Sequence, residues 1–348
     1  MNLIELTRTL IDIESLSGNE AAVGDFLFSY LGGLGYRVER QEVSEGRANL
    51  IATLDRKALV VFSTHMDTVP PHIASTEDER YVYGRGACDA KGIIAAQIMA
   101  AERLRAEGLR SIGLLFTVDE EMGSLGARAA NNHVAARDCR FLINGEPTDN
   151  KLALGSKGSL RLVIKTEGRA AHSAYPEHGE SAIEKLLDVL ADVRACPWPG
   201  DEFFGETTCN VGRIQGGTRP NVIPAEAQAE LQIRLVTDAA PVKEALELAV
   251  AGRAEVEYLS VAAPVRMLAV EGFEPCIVRF TTDIPHLTNW GSPLLVGPGS
   301  ILLAHTADER VAKRELAEAV GLYAGLAREL IARESKGLGE ALVKEARR

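Results

Sequence analysis

The feature that most constrains the fold of this sequence is a set of four unbroken apolar runs, at residues 59–62, 112–116, 141–143 and 293–296. A strand with one face in water alternates apolar and polar residues, whereas a strand covered on both faces is apolar throughout. The runs therefore predict an α/β fold, with a mixed, largely parallel sheet covered by helices on both faces. At 348 residues, the chain also has room for a second, smaller domain.

Helical and edge-strand patterns complete the first part of the chain. Residues 3–11, 92–104 and 313–333 carry apolar side chains at helical spacing. The helix at 92–104 lies between two apolar runs, as a crossover between parallel strands does. Residues 36–43 alternate with polar side chains, which predicts an edge strand. The polar tail after residue 333 fits either a helix or a frayed end.

The pattern changes between residues 156 and 264, where a second domain is predicted. Two amphipathic helices are interspersed among four alternating strands, in the order β-α-β-β-α-β of a ferredoxin-like sandwich. The sequence thus predicts a discontinuous first domain, residues 1–155 and 265–348, with the βαββαβ domain of residues 156–264 inserted in it. A four-stranded sheet of this kind leaves an edge uncovered, so we expect a partner subunit there.

Acidic and histidine side chains follow the apolar runs and a glycine-rich turn at residues 84–89. In open α/β sheets, ligands bind beyond the carboxyl ends of the strands, so these side chains are predicted to meet at one site. Burying unpaired carboxylates is costly, and two imidazoles with three carboxylates form a donor set for a pair of divalent cations. The side chains concerned are His65, Asp67, Asp89, Glu120, Glu121, Glu146 and His305.

Spacing favours distinct roles for these residues. His65 and Asp67 are two residues apart, so at a strand end they point to the same side. A carboxylate has two oxygens, which fits Asp89 as a bridge between two cations. Glu120 and Glu121 are adjacent and their side chains diverge, so one fits a ligand and the other a general base. The alternatives are a surface histidine beside a helix-capping Asp67 and a solvated acidic turn at Glu120 and Glu121.

Charge and composition exclude several functions. The net charge of −11 argues against a nucleic-acid partner, and no run approaches the roughly 20 apolar residues of a membrane helix. The turn at 84–89 is not a dinucleotide loop, because Asp89 stands where the third glycine belongs. The N-terminal residues lack the pattern of a signal peptide, so we expect a cytoplasmic protein. The five cysteines include no Cys-x-x-Cys pair, which argues against a thiolate zinc site.

Five ordered motifs resemble those of the M20 family of metallo-aminoacylases and peptidases. The likeness covers nearly the whole chain and is greatest to the acetylornithine deacetylase and succinyl-diaminopimelate desuccinylase branch, with its carrier-protein lysine and ornithine hydrolases. The motifs are Ser63-Thr64-His65-Met66-Asp67-Thr68-Val69-Pro70, Gly84-Arg85-Gly86-Ala87-Cys88-Asp89-Ala90-Lys91-Gly92, Asp119-Glu120-Glu121-Met122-Gly123-Ser124, Gly145-Glu146-Pro147-Thr148, and Gly297-Pro298-Gly299 through Ala304-His305.

The resemblance implies two zinc ions at the predicted site, with Co²⁺ or Mn²⁺ as substitutes. Each ion would have one histidine and one glutamate of its own, and Asp89 would bridge the two ions. Asp67 would orient His65, and Glu120 would be the general base. The remaining ligands implied are His65 and Glu146 for one ion and Glu121 and His305 for the other.

For the inserted domain, the resemblance implies a lid and dimerisation module. His172 would reach the active site of the neighbouring subunit in a homodimer, and Asn221 and Arg234 match positions that bind the substrate carboxylate. Arginine suits this role because its fork meets a carboxylate with two hydrogen bonds. Gly297 belongs to a loop expected at the substrate site. The other histidines, His72, His133, His178 and His286, are expected to be surface or core residues.

The expected reaction is hydrolysis of the amide bond of an N-acyl amino acid, as in an acetylornithine deacetylase of arginine biosynthesis. The alternatives are a dipeptidase or carboxypeptidase of the same family and a succinyl-diaminopimelate desuccinylase. An inactive scaffold would lack a ligand or the base, and none is missing. The sequence departs from the family pattern at Ala90, where many relatives carry Met or Asp, and at residues 281–285, which match no single subfamily. These departures leave the substrate open.

Overall fold

Two structural units make up the protein in the computed structural model, which describes residues 1–55 and 57–345. The first unit comprises Met1–Leu154, Met267–Cys276 and the chain from Thr282 onward, and the second comprises Gly155–Arg266 and Ile277–Thr281. The inserted domain predicted from the sequence lacks the short segment Ile277–Thr281, which the sequence pattern places in the first domain. This segment is a β-strand end and a loop that carry no helical or domain-boundary signal of their own.

The elements follow one another as expected for an α/β chain with an inserted sandwich. The helices are α1 (Leu3–Asp12), α2 (Ala21–Gly33), α3 (Lys91–Ala106), α4 (Leu125–Ala130), α5 (Ala182–Ala195), α6 (Ala239–Val250) and α7 (Lys313–Glu345). The strands are β1 (Arg37–Ser44), β2 (Arg47–Thr53), β3 (Val60–His65), β4 (Thr76–Glu77), β5 (Tyr81–Tyr83), β6 (Ile112–Thr117), β7 (Phe141–Asn144), β8 (Leu152–Ser156), β9 (Gly158–Glu167), β10 (Gly200–Asp201), β11 (Gly205–Glu206), β12 (Thr208–Gly216), β13 (Glu226–Leu235), β14 (Glu255–Ala262), β15 (Val265–Arg266), β16 (Pro275–Val278), β17 (Ser292–Leu295) and β18 (Arg310–Ala312).

The first unit is built on a mixed sheet with the strand order β1-β2-β6-β3-β7-β17-β8. The pairs β6–β3, β3–β7 and β7–β17 are parallel, and the pairs β1–β2, β2–β6 and β17–β8 are antiparallel. The predicted α/β fold is confirmed, and β1 lies at the edge of the sheet as its alternating pattern predicts. The four apolar runs form the central parallel strands, so their carboxyl ends meet at one edge of the sheet.

Both faces of this sheet are buried, which explains why the runs are unbroken. In β3, Phe62 packs in a cluster with residues of α1, α2, α3 and α7, whereas Val61 packs in a cluster with residues of α4 and with Trp290. Leu114 and Leu115 of β6 divide between the same two clusters. Because successive side chains of a strand point to opposite faces, a strand is apolar throughout only when both faces are covered.

The helix ends follow local sequence signals. Asn2 accepts a hydrogen bond from the Glu5 backbone N–H, and the Glu5 side chain accepts one from the Asn2 backbone N–H, so a capping box starts α1. Helix α7 continues to Glu345, which makes the polar tail helical as far as the structure describes it. Among the described residues, no helix is long and apolar enough to cross a membrane.

The second unit is an antiparallel sheet with the strand order β12-β13-β9-β14. Helices α5 and α6 pack on one face, where Leu186 and Leu246 join Leu231 and Ile233 of β13 in a buried cluster. The predicted βαββαβ sandwich is confirmed. Strand β12 is at one edge of the sheet and β14 is at the other.

Candidate metal centre

The strand ends of the first unit position the predicted ligands. His65 is the last residue of β3, and Glu120 and Glu121 follow β6. Glu146 follows β7, and Asp89 comes shortly before α3. His305 lies in the loop between β17 and β18. Because β3, β6, β7 and β17 run in parallel, their following loops gather at the same edge of the sheet.

Asp89 faces one histidine with each of its carboxylate oxygens. Its Oδ1 lies 3.0 Å from His65 Nε2, and its Oδ2 lies 3.3 Å from His305 Nε2. Glu146 Oε2 is 3.9 Å from His65 Nε2, and Glu121 Oε1 is 2.9 Å from His305 Nε2. Asp89 therefore lies between a His65–Glu146 pair and a His305–Glu121 pair.

Both the carbonyl and the carboxylate of Asp67 lie near His65, and the carbonyl is the closer of the two. His65 Nδ1 lies 2.9 Å from the Asp67 carbonyl oxygen and 3.6 Å from Asp67 Oδ1. A carbonyl oxygen can only accept, so Nδ1 donates to it, and Nε2 faces Asp89. The Asp67 carboxylate instead accepts hydrogen bonds from the backbone N–H groups of Glu120 and Glu121, at 3.1 and 3.2 Å. Asp67 thus positions both the β3 end and the turn that carries the two glutamates.

The histidines and Asp89 stabilise each other's charged forms. Hydrogen bonds to Asp89 and Glu121 raise the pKa of His305 to about 10. Burial disfavours the charged form of His65, but hydrogen bonds with Asp67 and Asp89 outweigh it and hold its pKa well above the usual value. Burial likewise opposes ionisation of Asp89, yet the hydrogen bonds from His305 and His65 lower its pKa below the usual value. His65, His305 and Asp89 therefore each favour the charged form.

The remaining carboxyl groups of the centre are held in surroundings that disfavour their ionised forms. Burial, followed by repulsion from Glu146, raises the pKa of Glu120 well above its usual value. Burial is also the largest cause of the raised pKa of Glu146 and of Glu121. Burial and the repulsion between neighbouring carboxylates both oppose the ionisation of these groups. A divalent cation would remove the repulsion.

Two further observations support a divalent-cation site at this donor set. Glu146 Oε1 is buried and has no hydrogen-bond partner among the described residues, so one carboxylate oxygen is available for a ligand. Ligand atoms of His65, Asp89 and Glu121 lie within 4.8 Å of one another. Imidazole and carboxylate ligands together suit Zn²⁺, Co²⁺ or Mn²⁺ better than Mg²⁺ or Ca²⁺.

The turn that carries Glu120 and Glu121 is fixed by an ion-pair network with Arg47, which the sequence did not indicate. Arg47 donates to both oxygens of Glu20, at 2.6 and 2.7 Å, and to Asp119 Oδ1 at 2.8 Å. Asp119 has a positive φ of 70°, which a residue other than glycine or asparagine adopts only where its surroundings hold it. The hairpin of β1 and β2 thus supports the turn.

Asp283 is a further buried carboxyl group that sequence reasoning did not single out as a site residue. It accepts a hydrogen bond from the Thr117 hydroxyl at 2.7 Å, and its Oδ1 has no partner among the described residues. Burial, opposed by the Thr117 hydrogen bond, raises its pKa to about 6. Its charge interacts with Glu120 and Glu146. No motif signals it, since its segment follows no apolar run.

Gly297 packs directly against Glu146. A Cβ atom at this position would lie 2.5 Å from the Glu146 carbonyl oxygen, so no other residue fits without moving the loop. The Gly297 carbonyl accepts hydrogen bonds from the backbone N–H groups of Thr148 and Asn150, at 3.2 and 2.9 Å. In this structure Gly297 therefore shapes the loop of Glu146, and its own carbonyl is occupied.

The remaining predicted positions lie in the second unit. His172 is bridged to Val222, and the Ser173 backbone N–H donates to the Asn221 carbonyl at 3.0 Å, so His172 and Asn221 lie in neighbouring loops. Arg234, in β13, donates to the Thr281 hydroxyl at 3.3 Å. The structure thus groups His172 with Asn221 and places Arg234 on the sheet.

The four histidines expected at the surface or in the core lie outside the cluster of ligands. His133 Nε2 lies 3.1 Å from Glu39, and His178 is exposed. His286 is partly buried beside Arg128, and burial followed by this positive charge lowers its pKa to about 4. His72 Nδ1 is buried without a partner among the described residues.

Sequence comparisons find relatives along most of the chain. A peptidase M20 domain-containing protein of Schizosaccharomyces pombe is 38% identical over 333 residues, which cover 92% of this chain and 83% of that protein. A protein of Talaromyces marneffei named "Probable carboxypeptidase" is 37% identical over 387 residues, with 92% of this chain and 84% of that protein covered.

Solved structures share the fold at lower sequence identity. The M20 metallo-carboxypeptidase Sso-CP2 of Sulfolobus solfataricus superposes with a TM-score of 0.77 at 16% identity, over 93% of this chain and 98% of that chain. Aminopeptidase PepT of Bacillus cereus gives a TM-score of 0.74 at 23% identity, over 94% and 98%. The model of peptidase family M20/M25/M40 matches residues 61–329, and the chain belongs to this family.

Proposed function

We propose that the protein is a co-catalytic di-metal peptidase that removes the C-terminal residue of short peptides. The observation that carries the proposal is the likeness to proteins named as carboxypeptidases, such as the one of Talaromyces marneffei, over 92% of this chain. These relatives favour the peptidase alternative over the acetylornithine deacetylase reading. Both reactions hydrolyse an amide bond next to an amino acid with a free carboxylate, so the same centre serves either.

The candidate ligands are divided between two cations in this proposal. One would be held by His65 and Glu146, the other by Glu121 and His305, with Asp89 shared. When bound, two divalent cations supply Lewis acidity towards the scissile carbonyl and lower the pKa of a water molecule. Zn²⁺ suits this donor set, and Co²⁺ or Mn²⁺ would be substitutes.

Glu120 would move the proton. Burial, followed by repulsion from Glu146, raises the pKa of its carboxyl group, and a higher pKa makes a carboxylate a stronger proton acceptor. Glu120 would take a proton from the attacking water and deliver it to the departing amine. The hydrogen bond from its backbone N–H to Asp67 fixes the main chain from which the side chain reaches the substrate.

The second unit would contribute substrate and transition-state contacts. We propose that Asn221 and Arg234 bind the substrate carboxylate and that His172, from a neighbouring subunit, stabilises the oxyanion. Strand β12 supports such an association, because it is an edge strand on which Ile214 is 51% exposed, and unpaired edges favour strand pairing between chains. A monomer in light-scattering measurements at micromolar concentration would contradict this part of the proposal.

A substrate panel tests the proposed reaction. The full chain would be stripped with a chelator, reloaded with Zn²⁺ and assayed for amine release from dipeptides, N-blocked dipeptides and the same peptides with a C-terminal amide. We expect hydrolysis of peptides with a free carboxylate and none of the amides. N-blocked dipeptides distinguish a carboxypeptidase, which cleaves them, from a dipeptidase that requires the free amine.

The competing substrates belong in the same panel. N-acetyl-ornithine, N-acetyl-citrulline and N-succinyl-diaminopimelate test the deacylase and desuccinylase alternatives. A higher kcat/KM for one of these compounds than for every peptide would overturn the peptidase proposal in favour of that alternative. Absence of turnover on the whole panel would contradict both.

A further inference from the structure

A buried ion pair, Arg85 with Glu309, joins the two segments that carry Asp89 and His305. Arg85 Nη1 lies 2.5 Å from Glu309 Oε2, and the two side chains are 2% and 0% exposed. Arg85 precedes Asp89 by four residues, and Glu309 follows His305 by four. Neither belongs to the proposed ligand set, yet each lies in the same segment as a ligand.

Glu309 holds the backbone of the loop that ends in Asp89. Its Oε1 accepts a hydrogen bond from the Gly86 N–H at 2.9 Å and from the N–H groups of Cys88 and Asp89, both at 3.3 Å. Hydrogen bonds to an ionised acceptor are stronger than those between neutral groups. The main chain of Asp89 is therefore fixed from the segment that follows His305.

Arg85 makes the reciprocal connection. Its Nη1 also donates to the Thr306 carbonyl at 3.1 Å, and its Nε donates to the Pro71 carbonyl at 3.3 Å. Thr306 follows His305, whose φ is +64°. A residue other than glycine rarely adopts this backbone conformation unless its surroundings hold it there. The hydrogen bond from Arg85 to the next carbonyl is one of the contacts that hold it.

We propose that Arg85 and Glu309 are positioning residues that set the separation of Asp89 and His305. Through this separation they set the affinity for the cation that Asp89, His305 and Glu121 share. The inference rests on the proposed metal-dependent function, but it concerns cation binding and not the substrate. Outer partners of ligating side chains typically account for about 10–100-fold in metal affinity.

Cation affinity measured without substrate tests the proposal. The full chain, stripped of metal, would be titrated with Zn²⁺ in competition with a chromophoric chelator, and with Co²⁺ followed by its visible spectrum. We expect two equivalents in the wild-type protein, and the equivalent lost in His305→Ala identifies the one that His305 holds. Glu309→Gln should weaken that equivalent about 10–100-fold and alter the Co²⁺ spectrum, which reports coordination geometry.

Two further variants separate positioning from general destabilisation. Arg85→Lys keeps the buried charge pair but cannot donate to Glu309, Thr306 and Pro71 together, so we expect weaker cation binding with little loss of thermal stability. Glu107→Gln is the matched control, because Glu107 accepts two hydrogen bonds from Arg328, at 2.7 and 3.2 Å, outside the centre. Its cation affinity should equal that of the wild type.

The outcomes distinguish this inference from the proposed function. Wild-type affinity and Co²⁺ spectra in Arg85→Lys and Glu309→Gln would overturn the inference and leave the proposed function intact. If Glu309→Gln does not fold, Arg85→Lys decides the question alone. A wild-type protein that binds no cation tightly would overturn the proposed function, and the inference with it.

Discussion

At the scale of single residues, contacts within the protein hold the candidate ligand side chains in place. His65 is held through Nδ1 by a backbone carbonyl, and Asp67 receives the N–H groups of Glu120 and Glu121. The Ser17 hydroxyl donates to Asp67 Oδ2 at 2.7 Å, so this carboxylate has three donors besides its contact with His65. Such outer contacts fix ring orientation and tautomer, and they require residues from three separate segments.

The first prediction concerns Glu120. Glu120→Gln keeps the size of the side chain but removes the group that would accept the proton, so we expect kcat to fall about 10²–10⁴-fold. Bound Zn²⁺, measured by mass spectrometry, should stay at the wild-type level because Glu120 is not a proposed ligand. Glu318→Gln, at an exposed position of α7, is the control and should leave kcat unchanged. A fall of less than about tenfold would contradict the general-base role.

At the scale of elements, the turn after β6 depends on a hairpin that contributes no ligand. Arg47 begins β2, and its contacts with Glu20 and Asp119 connect α2 and β2 to the turn that carries Glu120. The Glu20 and Asp119 side chains are 1% and 7% exposed. Removing the arginine would leave two buried carboxylates without a cation, which is costly.

The second prediction follows from this network. Arg47→Ala should lower the free energy of unfolding by about 3 kcal/mol, measured by urea denaturation. The matched control is Arg40→Ala in the same hairpin, where Arg40 pairs with Asp25 at 2.6 Å and the side chains are 45% and 64% exposed. An exposed pair contributes less than about 1 kcal/mol. Equal effects of the two substitutions would refute the importance of the buried network.

At the scale of the whole molecule, the centre gathers several acidic side chains in a protein whose net charge is already −11. Within the first unit, the carboxyl groups of Glu120, Glu121, Glu146 and Asp283 all have raised pKa values. Burial, with repulsion between the carboxylates, raises these pKa values, so ionisation of the groups at neutral pH opposes folding. Cations that bind only the folded protein would therefore stabilise it in proportion to the logarithm of their concentration.

The third prediction is that chelation lowers thermal stability. At a free Zn²⁺ concentration about 1,000 times the dissociation constant, binding contributes about 4 kcal/mol to the free energy of unfolding. The melting temperature should fall on treatment with EDTA and recover with Zn²⁺. Mg²⁺ should restore less, because the site includes two imidazole ligands. Melting curves that do not change with Zn²⁺ would exclude a cation site of this affinity.

Much of the fold could be predicted because local patterns determine it. The apolar runs of β3, β6, β7 and β17 are typical of strands covered on both faces, and the alternation in β13 is typical of a sheet covered on one face. The ligand segments could be predicted because each immediately follows or precedes such an element. The assignment of residues 277–281 to the second unit could not be predicted, since it depends on which unit a short strand end contacts.

The support of the centre could not be predicted, because it depends on contacts between residues far apart in the chain. Arg47 and Asp119 are 72 residues apart, and Arg85 and Glu309 are 224 apart. Asp283 lies 166 residues from Thr117, its hydrogen-bond donor. Arginines and acids of this kind are common on protein surfaces, so their type alone does not indicate burial.

The sequence by itself determined the α/β class, the inserted sandwich and the segments that supply imidazole and carboxylate groups, because periodicity and strand ends are local properties. Only the tertiary structure decided which oxygen of Asp89 faces which histidine. The tertiary structure also decided that the ion pair of Arg85 and Glu309 connects the loops that carry Asp89 and His305. These are distances of about 3 Å between remote segments, and only the packed chain sets them.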